Sequence, residues 1–280
     1  MKWKGRRGSR NIEDRRGRGA RGGLQLGGLG LIAVLALGYF TGVDVTPLLE
    51  DSLAPQSGGG EITEADRQAG EFVSVTLADT EEVWAGIFRE QLNTEYNPVT
   101  LVLYKGVTQS PCGGASGATG PFYCPGDRKV YLDTAFFTTL SRKLGAGGDF
   151  AAAYVVAHEV AHHVQNELGI LGKANRVRQQ VSEAESNAIS VRIELQADCF
   201  SGLWAREVQQ QFGTLERGDL QEAVNAARQI GDDTLQRNAG RRPMPHTFTH
   251  GTSEQRARWF ETGYTSGDIQ QCDTFSTNRL

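Results

Sequence analysis

The stretch Phe150-Ala-Ala-Ala-Tyr-Val-Val-Ala-His-Glu-Val-Ala-His-His-Val-Gln-Asn-Glu-Leu168 decides how the chain is read. It holds neither Gly nor Pro and is rich in Ala, so it predicts a buried helix, with Asp149 as N-cap and Gly169 as stop. Residues four apart on a helix share a face, which sets His158 and His162 side by side. Two imidazoles so placed suit two corners of a tetrahedral zinc site. Glu159, one residue on, is turned toward the open corner, where a carboxylate can take a proton from an activated water. The competing reading is a helix with two structural histidines and a solvated glutamate.

A hydrolytic zinc site needs a third protein ligand. Arg192-Ile-Glu-Leu-Gln-Ala-Asp198-Cys-Phe-Ser-Gly-Leu-Trp204 predicts a second helix with Glu194 and Asp198 on one face. Glu194 is the expected ligand. Asp198 is expected to accept the outer N–H of a ligand histidine and so fix its tautomer. Glu183 and Glu185 compete for the ligand role from a more polar stretch. Of the remaining histidines, His163 points about 100° away from its ligand neighbour and is read as structural. His250, in Thr249-His-Gly-Thr-Ser253, is the candidate to stabilise an oxyanion. His246, Tyr264 and Arg256 have weaker claims to that role.

HEVAHH followed by ELQAD resembles the gluzincin arrangement, HExxH with a downstream ExxxD. More closely, the chain resembles the YpfJ-like neutral zinc metallopeptidases of bacteria. The likeness runs through Met1-Lys-Trp-Lys-Gly-Arg-Arg-Gly-Ser-Arg-Asn-Ile-Glu-Asp-Arg-Arg16 and Gly120-Pro-Phe-Tyr-Cys-Pro-Gly-Asp-Arg-Lys-Val-Tyr-Leu-Asp133. It continues through the two helices to Ile230-Gly-Asp-Asp233 and Phe248-Thr-His-Gly-Thr-Ser253. The resemblance implies a zinc-dependent peptidase acting on polypeptide. It also implies an edge strand, expected around Tyr131, that holds substrate as an added strand.

Charge is unevenly spread. Residues 1–22 hold nine Lys and Arg against Glu13 and Asp14, a net +7, so the remainder carries −11 of the overall −4. Leu24 to Val43 contains no charged residue and is long enough, at about 30 Å of helix, to cross a bilayer core. The expectation is a basic cytoplasmic arm over 1–23, a transmembrane helix over 24–43, a Pro- and Gly-bearing linker over 44–62, and a metallopeptidase domain over 63–280. Positive charge before the span places the arm in the cytoplasm and the domain in the periplasm or outside, as a single-pass inner-membrane protein. A cleaved signal peptide is the alternative, though no clear Ala-x-Ala site follows Phe40. The arm's place beside the span favours lipid headgroups, and nucleic acid is not an expected partner.

An outside domain suits disulfides. Cys112 and Cys124 bracket a Gly-rich loop, which leaves Cys199 and Cys272 as a second pair; four cysteines allow three pairings, and this one is chosen by position. Glu64–Leu77 and Thr80–Leu92 predict two helices with Asp79 as a cap between them. Val99–Tyr104 and Lys129–Asp133 predict strands, residues 134–144 a short helix, and Leu220–Ile230 an amphipathic helix. This order gives an α+β, zincin-like domain with a small sheet and several helices. The alternative function is a non-catalytic zinc-binding interaction module, which would have no use for Glu159.

Overall fold

The computed structural model describes residues 1–17, 62–116 and 120–280. Two apolar runs, Thr100–Tyr104 (β2) and Lys129–Asp133 (β6), form the parallel centre of a four-stranded sheet, with Leu101 opposite Val130 and Leu103 opposite Leu132. Side chains alternate across a strand. Leu101, Leu103, Val130 and Leu132 therefore enter the main core, while Val102, Tyr104 and Tyr131 build a smaller cluster on the opposite face. The sheet order is β1-β2-β6-β5, with β1 Ile12–Asp14 and β5 Phe122–Cys124 at its edges. Strand β5 runs antiparallel to β6, and β1 runs parallel to β2. Between β2 and β5 lies a hairpin of β3 Val107–Ser110 and β4 Gly113–Ser116.

The helices are α1 Glu64–Gln91, α2 Phe136–Arg142, α3 Asp149–Glu167, α4 Ile170–Arg178, α5 Glu183–Phe212, α6 Asp219–Gln229, α7 Asp232–Asn238 and α8 Ser253–Ser266. The class is α+β, as expected. Aromatic and aliphatic side chains of α1, α3, α5 and α8, including Trp84, Phe150, Trp204 and Phe260, share one core with the inner face of the sheet. Helices α5 and α8 approach closely: a Cβ on Gly202 would lie 1.9 Å from the carbonyl oxygen of Phe260. Only glycine fits there, and the contact sets the spacing of the two helices.

The expected break at Asp79 does not occur. Helix α1 is continuous over 28 residues and opens with a capping box of Thr63 and Asp66. Asp79 is buried in its middle. It needs no capping role because Arg6 holds both carboxylate oxygens, at 2.5 and 2.8 Å.

That contact belongs to a larger correction. Residues 1–17, expected as an arm apart from the domain, are built into it. Strand β1 pairs Ile12 with Leu101 and Asp14 with Leu103. Met1 is buried, and its ammonium lies 2.6 Å from Asp149 and 3.2 Å from Asp219. Trp3 meets Phe72 edge-on at 5.5 Å. The net charge of +7 suggested a partner elsewhere, but several of these cations and Glu13 pair within the acidic body, as in Lys129–Glu13 at 2.7 Å. The expected span over 24–43 and the linker up to residue 61 lie outside the described residues. Among the described helices, none is long and apolar enough to cross a membrane.

Both disulfides have the expected partners. Cys112–Cys124 joins the hairpin to β5, and Cys199–Cys272 joins α5 to the C-terminal segment.

Candidate metal centre

Helix α3 runs as its composition predicts. Its cap position is Gly148, with Asp149 as the first helical residue, so the acid favours the helix N-terminus by charge and binds the Met1 ammonium. Gly169 follows the helix in the left-handed conformation that ends it. Helix α5 begins at a capping box in which the Ser182 hydroxyl accepts from the Glu185 N–H and the Glu185 carboxylate accepts from Ser182. That fixes Glu185 at the helix start. Glu183 lies in the same turn, and Glu194 is about two to three turns further on. Only Glu194, of these three, reaches the histidines.

His158 Nε2 lies 3.0 Å from one Glu194 oxygen, and His162 Nε2 lies 3.5 Å from the other. The three potential ligand atoms fall within 4.8 Å of one another. Two imidazole nitrogens and one carboxylate oxygen form a donor set that suits zinc. The electrostatics also fit a cation. The His158 imidazole is buried, and burial alone would lower its pKa; the Asp198 and Glu194 carboxylates outweigh burial and push it up to about 9. Burial likewise favours a neutral Glu194, yet the positive field of His162, His158 and His250 holds its carboxyl well below the usual range. Such anionic surroundings would favour a metal cation.

Each histidine also faces a polar group on its other side. His158 Nδ1 lies 3.0 Å from Asp198 Oδ1. Asp198 is buried and accepts from Arg256 through both oxygens, at 2.9 Å each, and from the Tyr154 hydroxyl. Burial would raise the Asp198 pKa, but Arg256 and His158 together bring it below the ordinary value. Arg256 is thus committed to Asp198. His162 Nδ1 meets the Gln165 side-chain oxygen at 2.9 Å, while the Gln165 amide donates to the Ile193 carbonyl and to Gln196. Gln165 was not singled out in the sequence; its signal is its place one turn beyond His162. His163 turns into the core, where it lies 2.7 Å from the Asn97 carbonyl oxygen and 3.3 Å from the Tyr123 hydroxyl.

The ligands open onto a cleft of about 530 Å³, lined in part by Glu159, Tyr123, Val155, Arg178 and His250. His250 reaches it from the loop before α8. Its Nδ1 is 3.2 Å from Asp232 Oδ1, and the other Asp232 oxygen accepts the backbone N–H groups of Thr249, His250 and Gly251. The bond to Asp232, joined by the Glu194 charge, raises the His250 pKa against the effect of burial. Asp232 is a second residue that the sequence reading did not assign; it begins α7 in the Gly231-Asp-Asp sequence. His246 and Tyr264 lie away from the cleft lining, His246 in an exposed turn and Tyr264 beside a small groove of α6 and α8.

Tyr131 does not sit at a free edge. Its strand, β6, is paired on both sides, and its ring stacks on Phe122 at 5.0 Å. The edge strand beside the metal ligands is β5: Phe122 and Tyr123, with the flanking Pro121 and Pro125, line the cleft. The free edge therefore lies one strand outward of Tyr131.

The family model described as "Putative neutral zinc metallopeptidase" matches residues 1–275. YpfJ of Escherichia coli (strain K12) is 48% identical over 288 aligned residues, covering 98% of this chain and 99% of that protein. Rv2575 of Mycobacterium tuberculosis (strain ATCC 25618 / H37Rv) is 44% identical over 195 residues, covering 66% of this chain and 65% of the relative. No solved structure matches.

Proposed function

Because the chain belongs to this neutral zinc metallopeptidase family, we propose that it hydrolyses peptide bonds at the cleft of His158, His162 and Glu194. The observation that carries this reading is the convergence of the three ligand atoms beside Glu159 and His250 in one cleft. A zinc ion held there would supply Lewis acidity and bring the pKa of a water toward about 7.

The chain's own residues have distinct tasks. Glu159 accepts the proton of the attacking water and delivers it to the leaving amine. His250, its pKa raised by Asp232, donates to the developing oxyanion. Asp198 and Gln165 orient the two imidazoles from behind, Asp198 with charge and Gln165 with a neutral amide. Strand β5 offers its outer backbone edge to an extended substrate, whose main chain then pairs regardless of much of its sequence.

The test replaces only the base. Glu159→Gln is expected to retain zinc and to lose roughly two to four orders of magnitude in the rate of peptide cleavage. Undiminished turnover by that variant would remove the mechanism and favour a zinc-holding interaction module.

The two disulfides favour work in an oxidising compartment. With β1 in the sheet, the N-terminal segment shares that compartment. Protease protection in sealed membrane vesicles should give residues 1–17 and the C-terminus the same accessibility; opposite accessibility would refute this placement.

A further inference from the structure

The charged groups that line the cleft divide unevenly between tasks. His158, His162 and Glu194 converge as a metal site, and Glu159 stands beside them. Arg256 is committed to Asp198, and His250 to Asp232. Arg178 is different. Its side chain is half-buried at the end of α4 and lines the same cleft. It is held by neutral groups: Nε donates to the Ser186 hydroxyl at 3.1 Å, and one terminal nitrogen donates to the Asn175 side-chain oxygen at 3.3 Å. Among the described residues, no carboxylate forms an ion pair with it. A guanidinium presents five donors in a planar fork that matches a carboxylate. Here two positions on that fork are tethered by neutral acceptors, which fixes the group without neutralising it.

Its place along the cleft follows from the helix that anchors it. Ser186 precedes Glu194 by eight residues on α5, a rise of about 12 Å. The guanidinium is therefore anchored about that far along α5 from Glu194, while lining the same cleft. Other parts of the lining are apolar: Val155 lies about one turn before His158 on α3, and Phe136, Leu144, Ile230 and Leu235 also line the cleft. Position at a helix C-terminus gives Arg178 some favourable charge interaction by itself, but it does not account for a tethered cation facing the cleft.

We infer that Arg178 is a specificity determinant that receives a substrate carboxylate at a position away from the scissile bond. This rests on the peptidase reading of the site. The carboxylate is either an acidic side chain or the end of the substrate chain, and one peptide set separates the two.

The experiment uses the zinc-loaded full chain and quenched-fluorescent peptides. Glu or Gln is placed in turn at each position on both sides of the scissile bond, with free and amidated C-termini in parallel. At one position Glu should lower KM about tenfold relative to Gln, as expected for a charge-assisted pair. In Arg178→Gln that ratio should fall to about one, and Arg178→Lys should restore part of it, with unchanged melting temperature confirming the fold. Arg178→Glu should shift the preference to Lys at the same position. A preference that follows amidation instead assigns the carboxylate to the chain end. Cleavage with no Glu/Gln difference at any position and none with amidation, or with the same ratio in wild type and Arg178→Gln, overturns the inference and leaves the peptidase reading standing. Peptide dissociation constants measured on zinc-loaded Glu159→Gln provide the second readout. If the wild type cleaves nothing, an Arg178-dependent difference in binding retains the carboxylate site while the peptidase reading falls; equal binding overturns the inference as well.

Discussion

The buried network behind His158 and the N-terminal segment on the sheet edge are both held by ion pairs, yet the pairs do different work. Asp198 and Arg256 are almost wholly excluded from water and satisfy each other through two parallel hydrogen bonds. Neither can lose its partner without leaving a bare charge inside the protein. Along residues 1–17 two pairs are largely buried, Met1 with Asp219 and Arg6 with Asp79, but others are shared with solvent: Glu13, with Arg15 and Lys129, and Arg7, with Glu81 and Glu82, keep much of their hydration. Such pairs contribute little singly. The segment is held more by β-pairing and by the burial of Met1 beside Trp3 and Phe72. Similar charge chemistry thus gives a rigid support for a ligand in one region and a modest attachment in the other.

The largest expected effect separates the two regions. Asp198→Ala should destabilise the protein by roughly 3–5 kcal/mol, because Arg256 is left unpaired in the core. It should also weaken zinc retention by about ten- to a hundredfold through the loss of support to His158. Chemical denaturation and a competitive zinc-chelator titration check the two parts; a change under about 1 kcal/mol would show that the network carries no such weight.

The smaller effect concerns pH. Arg15 and then Lys129 bind Glu13 and lower its pKa from 4.5 to about 2. A folded-state pKa below the unfolded one gives stabilisation that is present above the unfolded value and lost as pH falls through the folded one. The docking of β1 should therefore weaken progressively from about pH 4.5 toward pH 2, and a Glu13→Gln variant should lack this component. Hydrogen exchange at the amides of β1 follows it directly. Unchanged protection in the wild type across that interval, or the same loss in both proteins, would contradict the assignment.

The same two regions show what local sequence can reveal. His158, Glu159 and His162 were legible because helical period alone places them, and the apolar neighbours of Glu194 and Asp198 marked a buried acidic face. Gln165 and Asp232 were not, because each acts through a partner that only tertiary folding brings near: His162 together with α5 for the first, the His250 loop for the second. The edge strand was not legible because Phe122–Cys124 is too short to stand out, whereas Lys129–Asp133 reads as a strand although it is paired on both sides. Residues 1–17 were misread because their composition is basic, while their few apolar residues, Met1, Trp3 and Ile12, join the core. Asp79 resembled a cap because its partner, Arg6, lies 73 residues away.

The central claim is that Glu194, and no other acid, completes the metal site with the two histidines. Zinc per polypeptide, measured by elemental analysis after exhaustive dialysis, tests it with a matched pair of variants. The wild type and Glu185→Gln should each retain one equivalent, whereas Glu194→Gln should lose most of it. Full zinc occupancy in Glu194→Gln would contradict the account.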